Sequence, residues 1–335
     1  MTCTRATLLA AVALAPAASM PAAPTEAPAA EGVRLAKLSP EAEKAIDAGL
    51  TYLAARQNPD GSWGAKYPAA NASLSLMAFM LKGHFPGKEP YGEALDKAVR
   101  YLVGQTKLRG GYVGVNMYEH GLTTLALAEA WGMSKREDVG PALKRCVRII
   151  LRSQNVQGGW RYMPRPYDAD ISVTVMQIVA LASAREAGVY VPRQVIERAR
   201  RYVKSLQVRY VGGFGYRSPS SPGFARSAAG VMSLLMTGER DSKEVLMGLE
   251  YLRRLPSGKF HNESYYYYGH YYAIQAMYQA GESYYQEWYP SIQQALVARQ
   301  RSDGSWSGGK SDHYATAMSV LILGVPYRYL PIYQR

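Results

Sequence analysis

Six times along this chain an apolar helical run ends in a glycine-containing turn that opens onto an aromatic side chain, and the interval hardly varies. Five copies begin with glutamine: QNPDGSW from Gln57, QTKLRGGY from Gln105, QNVQGGW from Gln154, QVRYVGGF from Gln207 and QRSDGSW from Gln300. A sixth survives as LPSGKF from Leu255. The aromatic members are Trp63, Tyr112, Trp160, Phe214, Phe260 and Trp306, spaced 46 to 54 residues apart. A period of this size belongs to architectures in which each unit buries its apolar face against its neighbours. The chain must therefore be built of stacked units.

Each unit holds two helical stretches. The first is amphipathic, as in AIDAGLTYLAARQ from Ala45, ALDKAVRYLVGQ from Ala94 and VIERARRYVKSLQ from Val195, with apolar residues at helical spacing and charges opposite. The second is more apolar and rich in small residues, as in NASLSLMAFMLKG from Asn71 and DISVTVMQIVALASARE from Asp170. Two helices per unit give twelve in all, the polar one suited to an outer layer and the apolar one to an inner layer. Glycines at Gly83, Gly132, Gly188, Gly238, Gly281 and Gly324 are placed to end the second helices. Strand-like alternation is hardly present, so the class is all-α.

The Q-x-x-x-G-x-W pattern resembles the QW repeat of squalene–hopene cyclases and of the wider terpene cyclase and protein prenyltransferase superfamily. The resemblance runs from about Pro40 to Gly324. It implies a single (α/α)6 toroid over residues 40–335, with six parallel inner helices inside six outer ones. It says much less about activity, because one fold hosts unrelated chemistries.

Residues 1–20 carry Arg5 and then a short run of small apolar residues, which reads as a secretory signal peptide; the run is too short for a membrane span. Residues 21–39 form a Pro/Ala-rich linker of disordered composition. A secreted or periplasmic location follows as an expectation. Cleavage removes Cys3 and leaves Cys146 alone, which excludes an internal disulfide or a cysteine metal cluster and suggests an inert core thiol. The net charge of +13 is carried in part by arginines of the first helices, among them Arg148, Arg152, Arg198, Arg200 and Arg201. This balance suits anionic polymers or lipid headgroups as well as a plain solvated face. The extracellular address argues against nucleic acid and leaves at most peripheral membrane contact.

Aligning the second helices by their apolar pattern puts one polar residue of each near a common level: Asn71, His120, Asp170, Arg226, His270 and Asp312. In a toroid with parallel inner helices they would ring one mouth of the central cavity, near positive helix ends. Asn or Asp at such a position also serves as a helix cap. The family's class II cyclases carry D-x-D-D at an inner-helix start. The matching stretch here is DADI from Asp168, so the resemblance places Asp170 at the proton donor's position and Ile171 at that of its partner. Asp168 and His120 are the available substitutes for that partner.

The zinc ligands of the prenyltransferases are not transferred, since Tyr268, His270 and Ala315 occupy their positions. A rearranged site from His270, Asp312 and His313 has suitable ligand types but no spacing that brings them together. Neither a metal nor a cofactor is implied. Tyrosines are abundant, 27 in number, and SYYYYGHYY from Ser264 puts Tyr265, Tyr268 and Tyr272 on one helical face. Their rings suit sugar stacking, cation shielding or packing between helices.

Three functional readings follow. The first is a non-catalytic binding or scaffold protein with an aromatic-lined cavity for an apolar or isoprenoid ligand, or for a protein partner. The second is a terpene-cyclase-like isomerase using Asp170. The third is a polysaccharide lyase or glycan binder at a basic, tyrosine-rich mouth.

Overall fold

A computed structural model of the chain describes residues 37–134, 136–255, 265–308, 310–328 and 330–331, all within one compact unit, Arg34–Arg335. The expected signal peptide, nearly all of the linker and Phe260 lie outside the described residues. Twelve α-helices are found among the described residues: α1 Pro40–Ala54, α2 Pro68–Leu81, α3 Gly92–Gln105, α4 Met117–Ser134, α5 Val139–Ser153, α6 Ile171–Glu186, α7 Arg193–Ser205, α8 Phe224–Met236, α9 Lys243–Arg254, α10 Tyr266–Ala280, α11 Glu282–Val297 and α12 Asp312–Leu323. The even-numbered helices pack in sequence around a ring, and α12 returns to α2 to close it. The odd-numbered helices lie outside, each against the inner layer. The architecture is an α/α toroid.

The two layers differ because their sequences do. Outer helix α7 buries only Val195, Ala199, Tyr202 and Val203, a single stripe at helical spacing. Inner helix α6 buries every residue from Val173 to Ala184, polar Thr174, Gln177 and Ser183 included. Small residues let inner helices approach closely: a Cβ on Gly121 would lie 2.6 Å from the Met176 side chain, and one on Gly269 2.5 Å from Phe224. Gly83, Gly188 and Gly238 have the positive φ expected at a helix end, and Gly281 has φ 128° with an extended ψ of 175°. Gly132 lacks the positive φ, because α4 runs on to Ser134, and Gly324 has φ −85°.

The repeated turn stitches neighbours together. The side-chain amides of Gln57, Gln154, Gln207 and Gln300 each donate twice, once to a carbonyl of their own turn and once to the next outer helix, at Ala94, Val195, Glu244 and Ala45 respectively. Gln105 differs. There Arg145 of α5 reaches back to Thr106 at 2.8 Å and supplies the link from the other side. The indole N–H groups of Trp63, Trp160 and Trp306 donate to Leu53, Ile150 and Leu296, ten residues earlier in each case, and so satisfy last-turn carbonyls that the helix itself leaves open. These three tryptophans and Phe214 are fully buried, whereas Tyr112 is half-buried.

Cys146 is buried in α5, and burial pushes its thiol up to about 12, which makes it unreactive at neutral pH.

Candidate functional site

Four consecutive inner helices, α4, α6, α8 and α10, begin around a cavity of about 590 Å3. Their first turns supply Tyr118, Ser172, Phe224, Ala225, Arg226 and Tyr268, and the preceding connections supply Tyr162, Tyr216, Gly223 and Tyr265. The size falls within the range of about 300–1,000 Å3 usual for small-molecule sites. Tyr265 sits just before α10 with φ 59°, outside the helix, so it does not share the helical face of Tyr268 and Tyr272 as its spacing suggested.

One wall is built on Asp170. It caps α6, its Oδ1 accepting from the backbone N–H groups of Ser172 and Val173 and from the Ser172 hydroxyl. Its Oδ2 accepts from Arg161 at 2.7 Å. All four partners are donors. Arg161 in turn donates to the Tyr216 hydroxyl at 2.9 Å and lies over the rings of Tyr162 and Tyr216, whose hydroxyls are 2.9 Å apart. Asp170 thus anchors the arginine that holds two aromatic walls in place. Asp168 is partly exposed and pairs with Arg161 and Arg217.

The floor is formed by two crossings of the lumen. Tyr268 of α10 donates to the Ser172 carbonyl of α6 at 3.3 Å, and one turn deeper Tyr272 points its hydroxyl at the Met176 sulfur, 3.6 Å away. Helix α8 separates α10 from α6 in the ring, so both side chains span a chord of the lumen. Their rings meet edge to face at 4.9 Å. Burial pushes the phenols of Tyr118, Tyr268 and Tyr272 well above their usual range, so they stay protonated and can donate hydrogen bonds.

Of the polar ring expected from the sequence, Arg226 and Tyr268 line this cavity and Asp170 stands directly behind its wall. The others do not converge there. Asn71 is the fourth residue of α2 and donates to Trp63 and Lys66 carbonyls, tying its own turn together. His120 is fully buried: Nδ1 accepts from Val113 N–H at 3.1 Å and Nε2 donates to the Cys146 carbonyl at 3.0 Å. Both ring nitrogens are committed to backbone, so the catalytic place suggested for His120 is not the one it occupies. His270 does not itself line the cavity; it packs behind Phe224, against Tyr266 and Trp288. Asp312 pairs with Arg301, and the cap of α12 is Ser311 instead. Among the described residues no three His, Cys, Asp or Glu side chains are grouped so as to hold a metal ion, His270, Asp312 and His313 included.

Sequence reasoning missed Arg161, Tyr162, Tyr216, Tyr118 and Phe224. A signal existed for two of them: tyrosine stands two places after the aromatic marker only at Tyr162 and Tyr216, in the third and fourth units.

Neither a protein-family model nor a curated protein matches the sequence. Solved structures do match in shape. An alpha-1,6-mannanase of Salegentibacter superposes with a TM-score of 0.66 at 9% identity, covering 84% of this chain and 98% of the enzyme. Its inactive variant with two neighbouring aspartates replaced, in complex with alpha-1,6-mannotriose, gives 0.67 at 7% identity over 86% and 99%. A single-residue variant of the type II terpene cyclase MstE of Scytonema, bound to the substrate geranylgeranyl dihydroxybenzoate, gives 0.58 at 15% identity over 87% and 98%. At these identities the likeness is one of fold: the chain has the α/α toroid shared by a glycan-cleaving enzyme and a terpene cyclase.

Proposed function

We propose that this chain is a non-catalytic binding protein, working outside the cytoplasm, whose tyrosine-walled mouth takes a carbohydrate. The observation that carries this reading is the pair of crossings by Tyr268 and Tyr272, which bridge the lumen below the mouth. A long isoprenoid needs an open apolar lumen. What lies above the bridge is a cavity with aromatic faces, phenolic hydroxyls, Ser172 and one guanidinium, which suits a ring that offers both an apolar face and hydroxyl groups. The mannanase of the same fold holds a mannotriose. Its inactive form lacks two neighbouring aspartates, and this sequence contains no two consecutive aspartates.

The cyclase-like alternative requires Asp170 to deliver a proton. Its carboxylate is enclosed by four donors and serves as a cap and as the counter-ion of Arg161. A proton donor needs its proton held and presented to substrate, and among the described residues the hydrogen-bond partners of the Asp170 carboxyl oxygens are all donors.

The test is calorimetric titration of the purified mature chain with a panel of neutral and acidic oligosaccharides of three to five rings. Binding that weakens about tenfold in Tyr162→Ala and Tyr216→Ala is the expected result, with no reducing ends or unsaturated products after prolonged incubation. Lack of binding across the panel would remove the carbohydrate, and accumulation of cleavage products would remove the non-catalytic half.

A further inference from the structure

Among the described residues that line the cavity, Arg226 alone carries a charge. Several other arginines of this end of the toroid have carboxylate partners: Arg56 with Asp303, Arg161 with Asp168 and Asp170, Arg217 with Asp168, Arg301 with Asp312; Arg109, Arg165 and Arg209 have none among the described residues but do not line the cavity. Arg226 has none among the described residues. Its position makes this more unusual, because it is the third residue of α8. The first turn of a helix already carries partial positive charge, and anions rather than cations are stabilised there.

The same helix end lacks a capping side chain. Asp170 caps α6 and Ser311 caps α12, but α8 starts at Gly223, which has nothing to offer its first-turn N–H groups. Backbone geometry does not demand glycine here, since φ is −149° and ψ 163°, an extended conformation that any residue adopts. Space does. A Cβ on Gly223 would stand 2.9 Å from the Arg226 Nη2. A capping side chain here would stand against the guanidinium, and an Asp cap would neutralise it. The chain forgoes a cap and keeps an unpaired cation beside an uncapped helix end, both open to the cavity. Inner helices α2 and α10 also lack a side-chain cap, so what sets this place apart is the unpaired cation beside the free helix end, and an anionic group from outside would complement both.

Resting on the carbohydrate reading above, we infer that the ligand is an acidic sugar, carboxylated or sulfated. Arg226 takes its anionic group with help from the α8 amide end, while the tyrosine walls stack on the ring. A guanidinium pairs with a carboxylate or sulfate through two parallel hydrogen bonds, and a helix N-terminus adds donors of the same sign.

The experiment compares an oligogalacturonate of four rings with its fully methyl-esterified form, by calorimetry at 50 and 300 mM salt. The free acid is expected to bind at least tenfold tighter than the ester. Arg226→Gln should abolish that preference, with the acid losing much more affinity than the ester, and Arg226→Lys should keep part of it. Gly223→Ser gives an independent reading: it should raise the melting temperature by supplying a cap and lower affinity for the acid alone. Equal binding of acid and ester overturns this inference and spares the carbohydrate reading. An acid preference that survives in Arg226→Gln also overturns it, by placing recognition elsewhere on the basic surface. Failure of both forms to bind, together with the neutral panel, removes the carbohydrate reading and this inference with it.

Discussion

The Gln300 side chain donates to the Ala45 carbonyl at 2.8 Å across 255 positions of sequence, and so joins the last outer-to-inner turn to the first outer helix. The same amide in Gln57, Gln154 and Gln207 joins sequential units. One local rule, repeated, both staples neighbours and closes the ring. Gln300→Leu removes two hydrogen bonds, each worth about 1 kcal/mol net. Its equilibrium cost should be smaller than that of Gln154→Leu, whose side-chain oxygen also accepts from Arg198, and the two should loosen different places. Hydrogen exchange is expected to quicken in α1 and α12 for Gln300→Leu and in α5 to α7 for Gln154→Leu. Identical exchange maps for the two variants would mean that the closing contact is no different from the others.

The fold was legible because it repeats. Period, helix pairs and the outer and inner layers can all be read from hydrophobic spacing, since burial of one stripe in α7 and nearly the whole of α6 follows directly from composition. The site was only half legible, for a physical reason. Alignment by apolar pattern fixes which turn of a helix a residue occupies within about one turn, but not the direction in which its side chain leaves. His120 and Arg226 stand at comparable depths, and one is turned outward onto the Cys146 carbonyl while the other faces the cavity. The connections were harder still. Arg161, Tyr162 and Tyr216 lie on irregular backbone without periodicity, and their convergence depends on the buried Asp170.

His120 should behave as a structural acid sensor. Burial lowers its pKa to about 4, with the bond to the Cys146 carbonyl opposing the shift. The unfolded value is about 6.5. Between these limits the unfolded chain binds more protons than the folded one, so stability rises with pH across that window. The contribution is fully present above about pH 6.5 and is lost as pH falls toward 4; at pH 5 the loss amounts to about 2 kcal/mol. Urea unfolding at pH 7 and pH 5 should show this drop in the native sequence and a smaller one in His120→Gln. Nuclear magnetic resonance gives the direct check: the His120 ring should keep its neutral Nε2–H form down to pH 5. Titration near 6.5 would show that the ring is not sealed in.

The crossings of Tyr268 and Tyr272 make a prediction that separates this toroid from one with an open lumen. Both side chains reach from α10 to α6, and Tyr272 is buried against Met176. Truncating Tyr272 to alanine should cost about 3–5 kcal/mol, the range for a large buried aromatic. Tyr268 borders the cavity and should cost less. If the two rings are what bars the lumen, removing both lengthens an apolar channel into the inner helices. The double variant Tyr268→Ala, Tyr272→Ala should then bind a polyprenyl alcohol that the native chain does not, with the melting temperature rising on addition. Acid-sugar affinity should fall in the same variant, because Tyr268 lines the cavity. Native protein that binds the polyprenyl alcohol as tightly as the variant would show that the crossings are no barrier, and would return the lumen to the list of ligand sites.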